Sequence, residues 1–252
     1  MRPAFMWIQG ALVLALGCAD TRPAPPVEAV ESDAPASEPA LPSGELAAHM
    51  GEHFWAVADA HDAAIQGNVE GIREAARWLA EHEDPEGFPL AAGPYLDTLR
   101  VRSARTAEAR DLATAALGLS TVAAACGSCH SALGMPLATV LDEEPDAGDD
   151  LRGSMGAHIR AADLMWEGLV APSSAAWASG ADLLASVQLD PEDVTGSGTE
   201  AQLVEDLLDR LLDIAAQGNS VGVEARPQVY GQLVATCGHC HRALGRGFDP
   251  GS

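Results

Sequence analysis

Two short stretches of this sequence carry the residues best suited to chemistry: Cys126-Gly127-Ser128-Cys129-His130 and Cys237-Gly238-His239-Cys240-His241. Both have the form C-x-x-C-H, the attachment signature for haem c. On a helix, positions i, i+3 and i+4 share one face. Both thiols can therefore reach the two vinyl groups of one porphyrin while the next imidazole turns toward iron. The expectation is two haem c groups, bonded through Cys126, Cys129, Cys237 and Cys240, with His130 and His241 as proximal iron ligands. Two C-x-x-C pairs could also build a structural zinc site, but such sites close a short loop, and a whole domain separates these pairs. Thioredoxin-like use would need no histidine after each pair and expects a βαβ context that is missing.

Each motif closes a segment that the sequence contains twice. Met50-Gly51-Glu52-His53 answers to Met155-Gly156-Ala157-His158, and Cys126 to Gly134 answers to Cys237 to Gly245, so a duplicated domain is the economical reading. Helical spacing, with proline, glycine and capping residues at the breaks, predicts helices over 44–66, 69–81, 89–102 and 106–133 in the first copy. In the second it predicts 150–170, 173–187, 199–216 and 223–244. The short connections favour an all-α fold of two tandem up-down-up-down four-helix bundles, residues 44–134 and 150–252, joined by an acidic linker over 135–149.

In such a bundle the first helix begins beside the end of the fourth, which is where a sixth iron ligand should come from. The candidates are Met50 and His53 in one copy and Met155 and His158 in the other, residues three apart that face the same side. Histidine recurring at one repeat position favours His53 and His158 as distal ligands, with Met50 and Met155 the alternatives. His61 lies about 12 Å further along the helix and reads as non-ligating, its counterpart being Trp166. His49, whose counterpart is Ser154, and His82 read as surface residues, and His239 should point away from iron. Trp55, Trp78, Trp166 and Trp177 read as core.

The chain has 252 residues and a formal net charge of −23, which argues against nucleic acid or an anionic membrane as partner and favours a basic or neutral redox protein. Alanine and leucine outnumber the β-branched and aromatic strand formers, in keeping with helices. An apolar run from Ala4 to Leu16 after Arg2 reads as a signal peptide, so the expected location is exported and periplasmic. Leu14-Ala15-Leu16-Gly17-Cys18 resembles the lipobox of bacterial lipoproteins, with Leu16 standing where a small residue is usual. Lipidation of Cys18 would then be the one membrane contact. Residues 19–43, rich in proline, alanine and glutamate, read as a disordered tether.

Each copy resembles cytochrome c-prime and its low-spin relatives, four-helix bundles with C-x-x-C-H near the C-terminal end. The resemblance implies a haem c fold and a first-helix residue facing the haem, methionine in the low-spin members, at a place comparable to Met50 and Met155. This chain departs from it in Ser131-Ala132-Leu133 and Arg242-Ala243-Leu244 after the motifs, and in His53 and His158. The function expected is electron transfer without catalysis. The alternatives are a dihaem enzyme such as a peroxidase, or a gas-binding or haem-sensing protein with open iron.

Overall fold

The structure is a computed structural model, described over residues 44–85, 88–135, 137, 151–187, 189–195 and 199–246. The described residues form helices and connecting turns with no strand, an all-α fold, and belong to one compact unit, Pro39–Ser252. The signal segment, Cys18, the tether and nearly all of the acidic linker lie outside the described residues.

The first repeat supplies α1 (Gly44–Ile65), α2 (Val69–Glu81), α3 (Gly93–Ala107) and α4 (Leu112–Ala132). Local chemistry sets their ends. Asn68 caps α2 by accepting from the Gly71 N–H at 3.0 Å, and Asp111 caps α4 by accepting from the Thr114 N–H at 2.8 Å. The expected break before Thr106 is misplaced. Thr106 is buried inside α3, where its hydroxyl donates to the Arg102 carbonyl at 2.9 Å, and the helix runs on to Ala107. A 3-10 turn, Leu90–Ala92, leads into α3.

The second repeat supplies α5 (Leu151–Val170), α6 (Ser174–Ser186), a short α7 (Pro191–Thr195) inside the expected loop, α8 (Thr199–Ser220) and α9 (Arg226–Ala243). Ser173 caps α6 through the Ala176 N–H. Gly218-Asn219, expected to end a helix, lies within α8. The glycine is there for close approach: its carbonyl accepts from Trp177 Nε1 at 2.8 Å, and a Cβ would sit 3.1 Å from that of Ala181 on α6.

Within each repeat, consecutive long helices pack side by side. The two repeats meet where α4 runs against α9, flanked by α1 against α9 and α4 against α5. One apolar core passes through both, with Leu119 and Val122 of α4 and Tyr230, Leu233 and Val234 of α9 fully enclosed. Helix α4 is long and apolar enough to cross a membrane by length and composition alone. Its packing against α1, α2, α3, α5 and α9 accounts for that composition.

The ends of α4 and α9 are built alike. Gly134 and Gly245 take left-handed φ of 67° and 63°, and the following N–H groups, from Met135 and Arg246, return to the carbonyls of His130 and His241 at 2.9 and 2.8 Å. This glycine cap places each motif histidine in the last turn of its helix. Each motif is then seated on the other repeat. A Cβ at Gly238 would meet the Ala64 carbonyl at 2.5 Å and the Gly67 Cα at 2.9 Å, and one at Gly127 would collide with the Leu169 carbonyl and Pro172. Leu169 and Pro172 hold in the second repeat the positions of Ala64 and Gly67 in the first, so the repeats grip each other reciprocally.

Candidate cofactor site

In the first repeat the structure brings together the residues that the sequence separates by some eighty positions. Met50, His53, Cys126, Cys129 and His130 all line one cavity of about 280 Å³. Its walls are largely apolar, from Leu46, Phe54, Val57, Leu96 and Leu99 among others, and Trp166 and Val170 close one side from the second repeat. That volume lies near the lower end of the range for ligand cavities.

Burial pushes the Cys126 thiol up to about 12 and raises Cys129 less far, so both sulfurs are protonated at neutral pH. His130 Nδ1 lies 3.1 Å from the Met135 carbonyl. A carbonyl can only accept, so this bond places the proton on Nδ1 and leaves Nε2 with a free lone pair, the tautomer a metal-binding imidazole needs.

On α9, burial likewise pushes Cys237 to about 12 and raises Cys240. His241 Nδ1 donates to the Ile65 carbonyl at 2.9 Å, a partner from the first repeat, and this again frees Nε2. Met155 and His158 stand half-buried on α5, the latter with its pKa lowered by burial. His239 is exposed.

Two histidines read from sequence as surface residues belong elsewhere. His49 is buried, with only 6 % of its surface exposed, and His82 is half-buried at the end of α2. Together with His53, itself 7 % exposed, they form a cluster. Ring centroids lie 4.4 Å apart for His49 and His53, 4.9 Å for His49 and His82, and 5.3 Å for His53 and His82. Trp78 stacks on His82 at 4.0 Å and Phe88 meets His49 edge-on. His53 is held down to about 4, by burial first and then by its neighbours His49 and His82, and His49 is lowered by burial. His49 sits four residues before His53, one turn away on the same face. That spacing was the signal available in the sequence.

The tryptophans divide. Trp177 is buried under the Arg226 guanidinium, 5.2 Å above its ring, and Trp166 is half-buried, but Trp55 and Trp78 are 67 % and 38 % exposed, contrary to the core reading. Trp78 still packs edge-on against His53 and stacks on His82. His61 takes no part in the cavity. It is buried where the repeats meet, with Nε2 2.6 Å from the Tyr230 hydroxyl, which donates onward to the Ala162 carbonyl at 3.1 Å. Its ring lies 4.6 Å from that of Trp166, its repeat counterpart.

No protein-family model, curated protein or solved structure matches this chain.

Proposed function

We propose that this chain is an exported dihaem c-type cytochrome that carries electrons, with one covalent haem in each of two tandem four-helix repeats. The observation that carries the reading is the cavity shared by Cys126, Cys129 and His130 at the end of α4 and by Met50 and His53 on α1. Two thiols and a lone pair on one face, with further donor atoms on the facing helix, are the set that a six-coordinate haem c requires. The donors also fit in detail, since both motif histidines spend Nδ1–H on a backbone carbonyl and keep Nε2 free.

Haem held by these residues supplies reversible one-electron chemistry at its iron. The chain's own contributions are positional. Cys126 and Cys129, and Cys237 and Cys240, anchor each group. His130 and His241 would bind the iron from each motif, and one member of each Met-x-x-His pair, on α1 and α5, would supply the further ligand. In the second repeat His158 is the favoured distal ligand, with Met155 the alternative. In the first, both Met50 and His53 face the cavity. In the first repeat the apolar walls of the cavity would keep water from the metal. The net charge of −23 favours a basic partner, drawn in by the field of the whole surface. The apolar N-terminal run supports export, with Cys18 as a lipid anchor.

Optical and paramagnetic resonance spectra of the full-length protein test the carrier reading. Low-spin iron at both sites, unaltered by carbon monoxide, is the expected result. High-spin iron that binds carbon monoxide would overturn it in favour of an open, enzymatic or gas-binding site.

A further inference from the structure

The duplicated architecture explains what both repeats share, and so isolates what only one of them has. His53 has a counterpart in His158, but His49 and His82 answer to Ser154 and Val187. A haem site present in both copies therefore needs neither His49 nor His82.

The three imidazoles nevertheless converge. One ring nitrogen from each lies within 4.8 Å of the others. The Nε2 atoms of His49, His53 and His82 are buried and have no hydrogen-bond partner, and neither has Asp84 Oδ1, which stands 3.7 Å from His49 Nε2. Among the described residues, four of the eight buried side-chain nitrogen and oxygen atoms without a partner are gathered in this one place. Leaving such atoms unpaired is costly, and their convergence gives a reason to tolerate it. The surroundings favour a cation. Glu52 Oε2 approaches His82 Nε2 to 3.2 Å at an angle that makes no hydrogen bond, and Asp84 is steadied by Arg100 through its other oxygen at 2.6 Å.

We infer that His49, His53 and His82, with Asp84 as the oxygen donor, form a site for a divalent late first-row transition ion of the zinc class, beside the first haem cavity. Three neutral imidazoles and a carboxylate make a four-coordinate donor set that suits zinc. Bonds of about 2.0–2.1 Å at tetrahedral angles put donor atoms about 3.3 Å apart, so the rings need to close in by side-chain rotation at the ends of α1 and α2. Resting here on the dihaem reading, the site also decides the ligand to iron. With His53 engaged by the second metal, Met50 is left as the distal ligand in the first repeat.

The test uses full-length, haem-loaded protein, stripped of adventitious metal with a chelator and then titrated with zinc alone. Bound zinc, haem content and spin state are measured on the same samples. The inference predicts one tightly held zinc per chain. Affinity should fall at least about tenfold in each of His49→Gln, His53→Gln and His82→Gln, with haem content and helix content unchanged. It also predicts that His53→Gln keeps the first haem low-spin while Met50→Ala makes it high-spin. Zinc uptake equal in wild type and His82→Gln, a change at a half-buried position, would overturn the site. A high-spin haem in His53→Gln would overturn the assignment of His53. Protein without haem would still report zinc, which separates failure of this site from failure of the cytochrome reading.

Discussion

The Nδ1 atom of His241 hydrogen-bonds the carbonyl of Ile65 at 2.9 Å, so the histidine of the second motif is oriented by the last turn of the first repeat's opening helix. His130, its counterpart, is oriented instead by Met135, just past the end of its own helix. The repeats are thus coupled at the very residues proposed to hold iron, and the coupling is unequal.

The glycines inside the motifs make that coupling measurable. Because a Cβ at either one enters backbone of the opposite repeat, Gly127→Ala and Gly238→Ala should each destabilise the protein by about 1–3 kcal/mol, read from denaturant midpoints. Ser128→Ala, on the exposed face of the same helix turn, should change stability little.

Thiol reactivity should follow burial. In protein made without haem, Cys126 and Cys237, both pushed to about 12, should alkylate far more slowly at pH 8 than Cys129 and Cys240, whose shifts are smaller. Peptide mass spectrometry over a time course gives the four rates.

Stability should decline in mild acid because of His61. Burial holds its pKa at about 4 in the folded protein, against 6.5 in the unfolded chain. Between those values the unfolded state binds the proton and the folded state does not. Stability is therefore fully present above about pH 6.5, is lost as pH falls toward 4, and levels off below that. The span corresponds to roughly 3 kcal/mol. His61→Gln, which can still donate to Tyr230, should show a shallower loss between pH 7 and pH 5 than wild type when denaturant midpoints are compared.

Attachment should be separable by repeat. Cys126→Ser with Cys129→Ser should leave one haem per chain, carried by Cys237 and Cys240, and the reciprocal pair should leave the other. The absorbance of the pyridine-treated protein measures both.

What the sequence made legible was local. Asn68 and Ser173 announce helix starts, whereas Asp111, the cap of α4, falls inside the helix expected over 106–133, and the spacing within each C-x-x-C-H needs only a helix to have meaning. The meeting of Met50 and His53 with Cys126, Cys129 and His130 followed from the order of four helices, since the first must start where the fourth ends. Contacts between non-neighbouring elements were illegible. His49 and His82 read as superficial because the packing that buries them, of His49 against His82 on α2 and against Phe88, joins segments some thirty residues apart. Gly127 and Gly238 recur at the same motif position, but only the seating on Leu169 and Ala64 explains the glycine. The helix expected to open at Thr106 instead opens at Leu112, because the Thr106 hydroxyl is satisfied by the Arg102 carbonyl within α3.

Carbon–sulfur bonds from the motif cysteines to two porphyrins are what the proposed function requires above all. Intact-protein mass spectrometry after unfolding and organic extraction, on material from a host able to mature c-type cytochromes, tests it most directly. The mass of two haems should remain with the chain, and none of the four motif thiols should react with an alkylating reagent. An unaltered polypeptide mass beyond N-terminal processing, with all four thiols free, would contradict it.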